Sequence, residues 1–284
     1  MLWLHRHRRA IPYLLLLPGM AWLALFFLVP TYYLANTSLQ SGSLDVGYAF
    51  TWAWSNYSDA ISTYHEQFVR SLEYAGIATV LALLVSYPLA YFIAFRGGRW
   101  KSLLLLLVIA PFFVTYLIRT LAWQTILSDS GFVVNALQTV GLLGDGDRLL
   151  ATSTAVVAGI TYNYLPFAIL PIYVSLEQVD RRLVEAAEDL YASPRRAFLR
   201  VTLPLSLPGV FAATVLTFIP AAGDFINAEL LGGPNQAMIG NVIQSKFLAL
   251  IDYPSAAALS FVLMAIIVVL IAVYARIVGS ERLG

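Results

Sequence analysis

The chain has 284 residues, 60% of them hydrophobic and 12% charged, with a formal net charge of +1 and no cysteine. Soluble domains carry about a quarter charged residues, so this composition excludes an ordinary soluble fold and points to a membrane. The net charge argues neither for nor against nucleic acid, which the membrane composition makes an unexpected partner, and without cysteine there is neither a disulfide framework nor thiolate chemistry.

The N-terminus, MLWLHRHRRA, is basic and precedes a long apolar run. The run from Ile11 to about Ala35 is too long for a signal-peptide core and has no small-residue cleavage site, so it reads as a retained span. Six stretches are apolar enough to cross, at 11–36, 68–95, 102–127, 151–176, 208–228 and 256–278. Each is close to the ~20 residues that a spanning helix needs. Pro12, Pro18 and Pro30 predict that the first span bends or ends early. Pro220 and the following AAGDF predict an irregular end to the fifth. After the third span, GFVVNALQTVGLL is amphipathic and predicts a short interfacial helix. From Glu229 to Pro254 runs a long connection with a GGP turn. There is no internal repeat, and residues 1–284 read as a single transmembrane domain.

The loops set orientation. Arg6, Arg8, Arg9, Arg96, Arg99, Lys101, Arg181, Arg182, Arg195, Arg196, Arg200, Arg276 and Arg282 fall on one side, and only Arg148 and Lys246 on the other. The positive-inside rule therefore places both termini in the cytoplasm, and six spans agree in putting both termini on the same side.

Several chemistries are missing. There is no GxxxxGK[ST], no HExxH and no GxSxG. The chain has no P-loop for ATP hydrolysis, so energy for active transport must come from an ion gradient or a partner.

Residues 177–208, EQVDRRLVEAAEDLYASPRRAFLRVTLPLSLP, interrupt this oily sequence with nine charges between Asp180 and Arg200. An intramembrane Asp or Arg costs ~2.5 to 3.5 kcal/mol, so the segment stays outside the bilayer. Asp180 is placed to cap a short helix from Arg181 to about Leu190, with Leu183, Ala186, Ala187 and Leu190 on one narrow apolar face. Arg181 and Glu185 stand four apart on its surface. Ser193 and Pro194 predict the start of a second helix that stops at Leu203-Pro204. The residues alone are equally compatible with a solvated hairpin and with a docking element.

EAAEDLYASPRRAFLRVTLPLSLPG resembles the EAA signature of permease subunits of binding-protein-dependent ABC importers. That signature has Glu-Ala-Ala, three residues, a glycine, then nine residues to an Ile-x-Leu-Pro ending. Glu185, Ala186, Ala187, Leu203 and Pro204 match it, and Tyr191, followed by Ala192, occupies the glycine position. The resemblance implies an all-α type I importer permease with six transmembrane helices. It implies that residues 177–207 form a coupling loop docking on a cytoplasmic ATPase. Residues 109–127, IAPFFVTYLIRTLAWQTIL, and 223–248, GDFINAELLGGPNQAMIGNVIQSKFL, are similar to the spermidine/putrescine branch, in the first of its two unlike permeases. The implied partners are an ABC ATPase dimer, a second permease and an extracytoplasmic solute-binding protein, in the bacterial inner membrane. The chain itself would bind no cofactor or metal, ATP and magnesium belonging to the ATPase. Iron, thiamine, sulfate and phosphonate importers share the loop, so the solute is open. A self-contained channel or an ion-coupled transporter is the alternative from another class.

Ionisable residues within spans mark candidate solute contacts. Here they are Glu73, Arg119, Asp224 and Glu229, with Tyr116, Trp123, Tyr162 and Tyr164 as possible stacking faces for alkylammonium groups. The structural alternative pairs Arg70 with Glu73, and Arg119 with Asp224 or backbone carbonyls.

Overall fold

The computed structural model describes residues 11–144 and 146–280. Arg6, Arg8, Arg9 and Arg282, which carry part of the charge asymmetry, lie outside the described residues. Among the described residues five helices are long and apolar enough to cross a membrane, and six if one sharply bent pair counts as a single span.

The chain divides into two compact units. One holds residues up to Thr63 with Ile243–Val262, and the other holds Tyr64–Val242 with residues from Leu263 on. In the first unit, α1 (Ile11–Leu23) passes through a π turn at Ala24–Leu28 into α2 (Val29–Ser38). The prolines neither end nor split this span. Pro18 sits inside α1, and Pro30 falls in the first turn of α2 just after the π turn. There the shifted hydrogen-bond register absorbs its missing N–H. From Leu15 to Pro30 every residue is exposed, so the stripe has no partner in its own unit. A β-hairpin follows, β1 (Gln40–Ser43) against β2 (Gly47–Phe50), which the sequence reading did not foresee. Asn56 fastens it, its Nδ2 donating to the carbonyls of Ser38 and Gln40 at 2.9 Å each. Tyr48 donates to the Ile251 carbonyl at 2.5 Å.

α3 (Ser55–Arg96) starts well before the predicted boundary at 68 and kinks at Tyr64. Its first turns carry Asn, Ser, Asp and Glu, so hydropathy does not detect them. The third predicted span is broken. A 3₁₀ turn at Gly98–Trp100 leads into α4 (Lys101–Ile109), a second 3₁₀ turn covers Ala110–Phe113, and α5 (Tyr116–Leu127) leaves at 92°. Pro111 and the extended backbone of Val114 produce the bend. A short helix, α6 (Phe132–Thr139), forms where the amphipathic stretch predicts one.

α7 (Ser153–Glu177) packs along α10 (Leu203–Ala222). Small residues make this possible. A Cβ on Gly209 would lie 2.6 Å from the Pro171 carbonyl oxygen and 2.5 Å from the Ser175 Cβ. Ala82, Ala90, Ala94, Ala168 and Ala213 close the core with Ile169, Ile172 and Leu176.

The charged segment forms α8 (Arg181–Asp189) and α9 (Pro194–Ala197). The second helix does not stop at Leu203-Pro204. It continues through a π turn at Phe198–Thr202 into α10, because Pro204 occupies the first turn after that shift, where an absent N–H is tolerated. α10 ends at Ala222, and α11 (Ile226–Leu231), α12 (Ile239–Gln244) and α13 (Tyr253–Ser280) complete the chain. The irregular end of the fifth span is therefore the break at Gly223–Phe225.

Candidate functional site

The charged loop is built on local rules. The Asp180 carboxylate accepts from the Arg182 N–H at 3.0 Å, capping α8. At the other end the Tyr191 N–H donates to the Glu188 carbonyl (2.9 Å) and the Ala192 N–H to the Ala187 carbonyl (3.0 Å). These two bonds define a Schellman ending, whose C′ residue must be left-handed. That residue is Tyr191, with φ +61°. The position where the signature has glycine is thus one where the backbone needs φ > 0, and here tyrosine adopts it. Its ring is 96% exposed. Glu185 and Ala186 are exposed, as are Leu183 and Leu190, so the apolar face of α8 is not covered by its own chain. Ala187 is half-buried, and Pro194 takes the first helical position after Ser193, although the Ser193 hydroxyl makes no capping bond.

Arg181 does not pair with Glu185. Its Nη2 donates to the Ala94 carbonyl at 3.1 Å and the guanidinium lies 5.5 Å from the Phe95 ring centroid. The last carbonyls of α3 have no helical partners and carry the negative end of its dipole, so they outbid an exposed carboxylate whose attraction is worth a few tenths of a kcal/mol. Lys101, at the start of α4, forms an ion pair with Glu177 at the end of α7.

A second site lies where two helices are interrupted. α5 begins just after the bend at Val114, and α10 stops just before Asp224. The Tyr116 hydroxyl donates to the Asp224 carboxylate. Asn227 donates from its backbone N–H to Asp224 Oδ1 (3.0 Å), and from Nδ2 to Asp224 Oδ2 (2.8 Å) and the Tyr116 oxygen (2.5 Å). Asn163 on α7 donates to Asn227 Oδ1 at 3.2 Å and to Thr120 Oγ1 at 3.3 Å. Asp224 is 5% exposed and Asn227 and Thr120 are fully buried. Interrupted helices free backbone groups and make room for side-chain polarity, which is how membrane transporters place solute sites.

Arg119 is 8% exposed and its guanidinium stacks over Phe112 (5.5 Å) and Tyr116 (5.6 Å). Its Nε and Nη1 have no hydrogen-bond partner, as is true of Asn163 Oδ1. The expected Arg119–Asp224 pair is not made, because the Tyr116 side chain holds the carboxylate through its hydroxyl and the guanidinium on its face. The Arg70–Glu73 pair is not made either. Arg70 donates to the Ala237 carbonyl at 2.9 Å and Glu73 is exposed. Glu229 is exposed and accepts from Asn241 at 3.1 Å. Of the predicted aromatics, Tyr164 stands 6.2 Å from Tyr116, while Trp123 and Tyr162 pair with each other at 5.4 Å. Sequence reasoning missed Asn227, Asn163 and Thr120. Asp224 followed three residues later by Asn227 has the spacing of an N-cap, and Asn163 is an amide inside an apolar run. Both signals were available.

Residues 86–280 match the family of binding-protein-dependent transport system inner membrane components. The chain is 38% identical over 257 residues to the spermidine/putrescine transport system permease protein PotB of Haemophilus influenzae, covering 90% of each. It is 36% identical to the protein of that name from Escherichia coli, covering 90% of this chain and 93% of that one. A solved bacterial ABC transporter involved in the import of the acidic polysaccharide alginate superposes with a TM-score of 0.72 over 98% of both chains, at 20% identity.

Proposed function

The chain belongs to the binding-protein-dependent inner-membrane transport components, the permease subunits of ABC importers, and from that premise we propose that its solute is a polyamine of the spermidine/putrescine class. The observation that carries this reading is the buried Asp224 carboxylate, held by the Tyr116 hydroxyl at the break of two spans, with the Tyr164 ring 6.2 Å from that of Tyr116. A protonated amine seeks that combination of negative charge and π-face. The relatives named for spermidine and putrescine support the same choice. Family membership sets aside the self-contained channel and the ion-coupled transporter.

On this reading both termini and residues 177–207 face the cytoplasm, as the arginine distribution predicts. The permease pairs with a second permease, two copies of an ATPase that holds ATP and magnesium, and an external solute-binding protein. ATP-driven closure of the ATPases moves α8, where Glu185, Ala186, Ala187, Tyr191 and Ala192 meet the ATPase and Leu203-Pro204 leads the motion into α10. The spans then alternate between inward- and outward-open states, and solute passes Asp224. Glu73 and Glu229, exposed and outside the buried network, serve as approach contacts.

The test is ATP hydrolysis and uptake by the complete transporter in proteoliposomes, with a panel of solutes. Spermidine or putrescine should stimulate both. Stimulation by an anionic solute alone sinks the substrate assignment. Uptake that survives replacement of Glu185 and Ala187 by arginine sinks the coupling assignment.

A further inference from the structure

We infer that the coupling loop grips one aromatic stripe of α3 at both its ends, and that this stripe receives the motion of the loop. The inference rests on the coupling role proposed above. At the entry of the loop, Arg181 donates to the Ala94 carbonyl at 3.1 Å and the Phe95 carbonyl at 3.5 Å, and lies over the Phe95 ring at 5.5 Å. At the exit, Phe198 meets Tyr91 edge-on at 5.8 Å and Tyr87 edge-on at 5.7 Å. Tyr91 in turn stacks on Phe95 at 4.8 Å. Tyr87, Tyr91 and Phe95 are four residues apart, so they stand on one face of α3. The Tyr87 hydroxyl adds a 2.7 Å hydrogen bond to Ser206 on α10.

The loop therefore closes a ring. Arg181 holds Phe95, Phe198 in the π turn holds Tyr91 and Tyr87, and the Tyr91–Phe95 stack joins the two ties, while the outward face of α8 is left for a partner. A loop tied at one end could pivot without load. One tied at both ends to the same stripe displaces α3 when it moves. The π turn at Phe198–Thr202 belongs to this arrangement, because the added backbone residue rotates Phe198 relative to the helix that continues as α10. Neither tie is a surface ion pair. One is a guanidinium on helix-terminal carbonyls and the other an edge-to-face ring contact, worth ~0.5 to 1.5 kcal/mol beyond its burial.

The experiment measures spermidine uptake and ATP hydrolysis in the same proteoliposomes. The protein is the complete transporter carrying Arg181→Ala, Arg181→Lys, Phe198→Ala or Tyr91→Ala, with Glu185→Arg and the exposed Arg276→Ala as comparisons. The expected result is a fall in solute moved per ATP of roughly tenfold for the alanine variants, as for a lost coupling free energy. Hydrolysis should stay within about twofold of wild type. Arg181→Lys should recover part of the ratio, since it keeps a charged donor for the carbonyls. Glu185→Arg should lower uptake and hydrolysis together, and Arg276→Ala neither. If the Arg181 and Phe198 variants lose both activities in parallel, or neither, the ring of contacts is only structural and the inference fails while the coupling reading stands. If Glu185→Arg also leaves uptake intact, the coupling reading fails instead. Should wild type move no spermidine, stimulation of hydrolysis by the solute-binding protein replaces uptake as the readout, and the same variants must lose it.

Discussion

Replacing Tyr191 by glycine should tighten the charged loop. Tyr191 sits at φ +61°, where an L side chain costs roughly 1 to 2 kcal/mol and glycine nearly nothing. The ring is 96% exposed, so removing it forfeits almost no burial within this chain. Glycine returns some of the gain as extra freedom in the opened loop, about 0.5 to 1 kcal/mol, leaving a net stabilisation of ~0.5 to 1 kcal/mol. At 1.4 kcal/mol per decade this is about a twofold to fivefold drop in the open population of the Schellman turn. Hydrogen exchange reads it directly, because the amides of Tyr191 and Ala192 are the donors that close the turn. The Tyr191→Gly variant should exchange them about twofold to fivefold more slowly, whereas Tyr191→Ala, which keeps a Cβ at positive φ, should gain nothing. Equal protection in the two variants would refute the strain argument. A slower-exchanging Tyr191→Gly that also loses uptake would mean that the ring itself contacts the ATPase.

Asp224→Asn keeps the acceptor for the Asn227 N–H but removes the charge, so KM for spermidine uptake should rise about tenfold or more while the protein still folds. Unchanged KM would place the solute elsewhere. Gly209→Val puts atoms against the Pro171 carbonyl and Ser175, and should destabilise the α7–α10 contact by about 1 to 3 kcal/mol, seen as a lower thermal midpoint in detergent. Burial pushes the Asp252 carboxyl up, but the bond from Lys246 (2.9 Å), the bonds from Ser255 and the charge of Lys246 outweigh it and hold it below the usual carboxylate range. Its folded value is depressed, so its contribution is present above the unfolded value of ~3.9 and is lost as pH falls through the folded one. Thermal unfolding followed from pH 7 to pH 3 should show an acid loss that Asp252→Asn lacks. An identical profile in the variant would rule out this pair as its source.

The parts legible in the sequence are those encoded by neighbours along the chain. Apolar runs gave the spans, and Asp180, Ser193 and Pro194 marked the ends of the loop helices because capping acts over three or four residues. Asp224 stood out as a lone charge in an apolar stretch. The first turns of α3 escaped because a helix needs no apolar face where it leaves the bilayer. The β-hairpin escaped because Gln, Ser and Gly give no alternating pattern.

What the tertiary structure decided is which side chain answers which. By itself the sequence determined that Arg181, Arg119 and Asp224 must find partners, since a charge in or near hydrocarbon cannot go unanswered. It set Arg181 beside Glu185, and Arg119 against Asp224 or backbone carbonyls. The fold gave Arg181 the end of α3, put the Tyr116 side chain between Arg119 and Asp224, and brought Asn163 and Asn227 together from different helices. Such partners lie tens of residues away, and which carbonyl or ring is nearest depends on where prolines and π turns break the helices. Tyr191 shows both contributions in one residue. Its place in the signature is read from the sequence, and its left-handed backbone only from the structure, because the Schellman turn between α8 and α9 sets that angle whatever side chain occupies it.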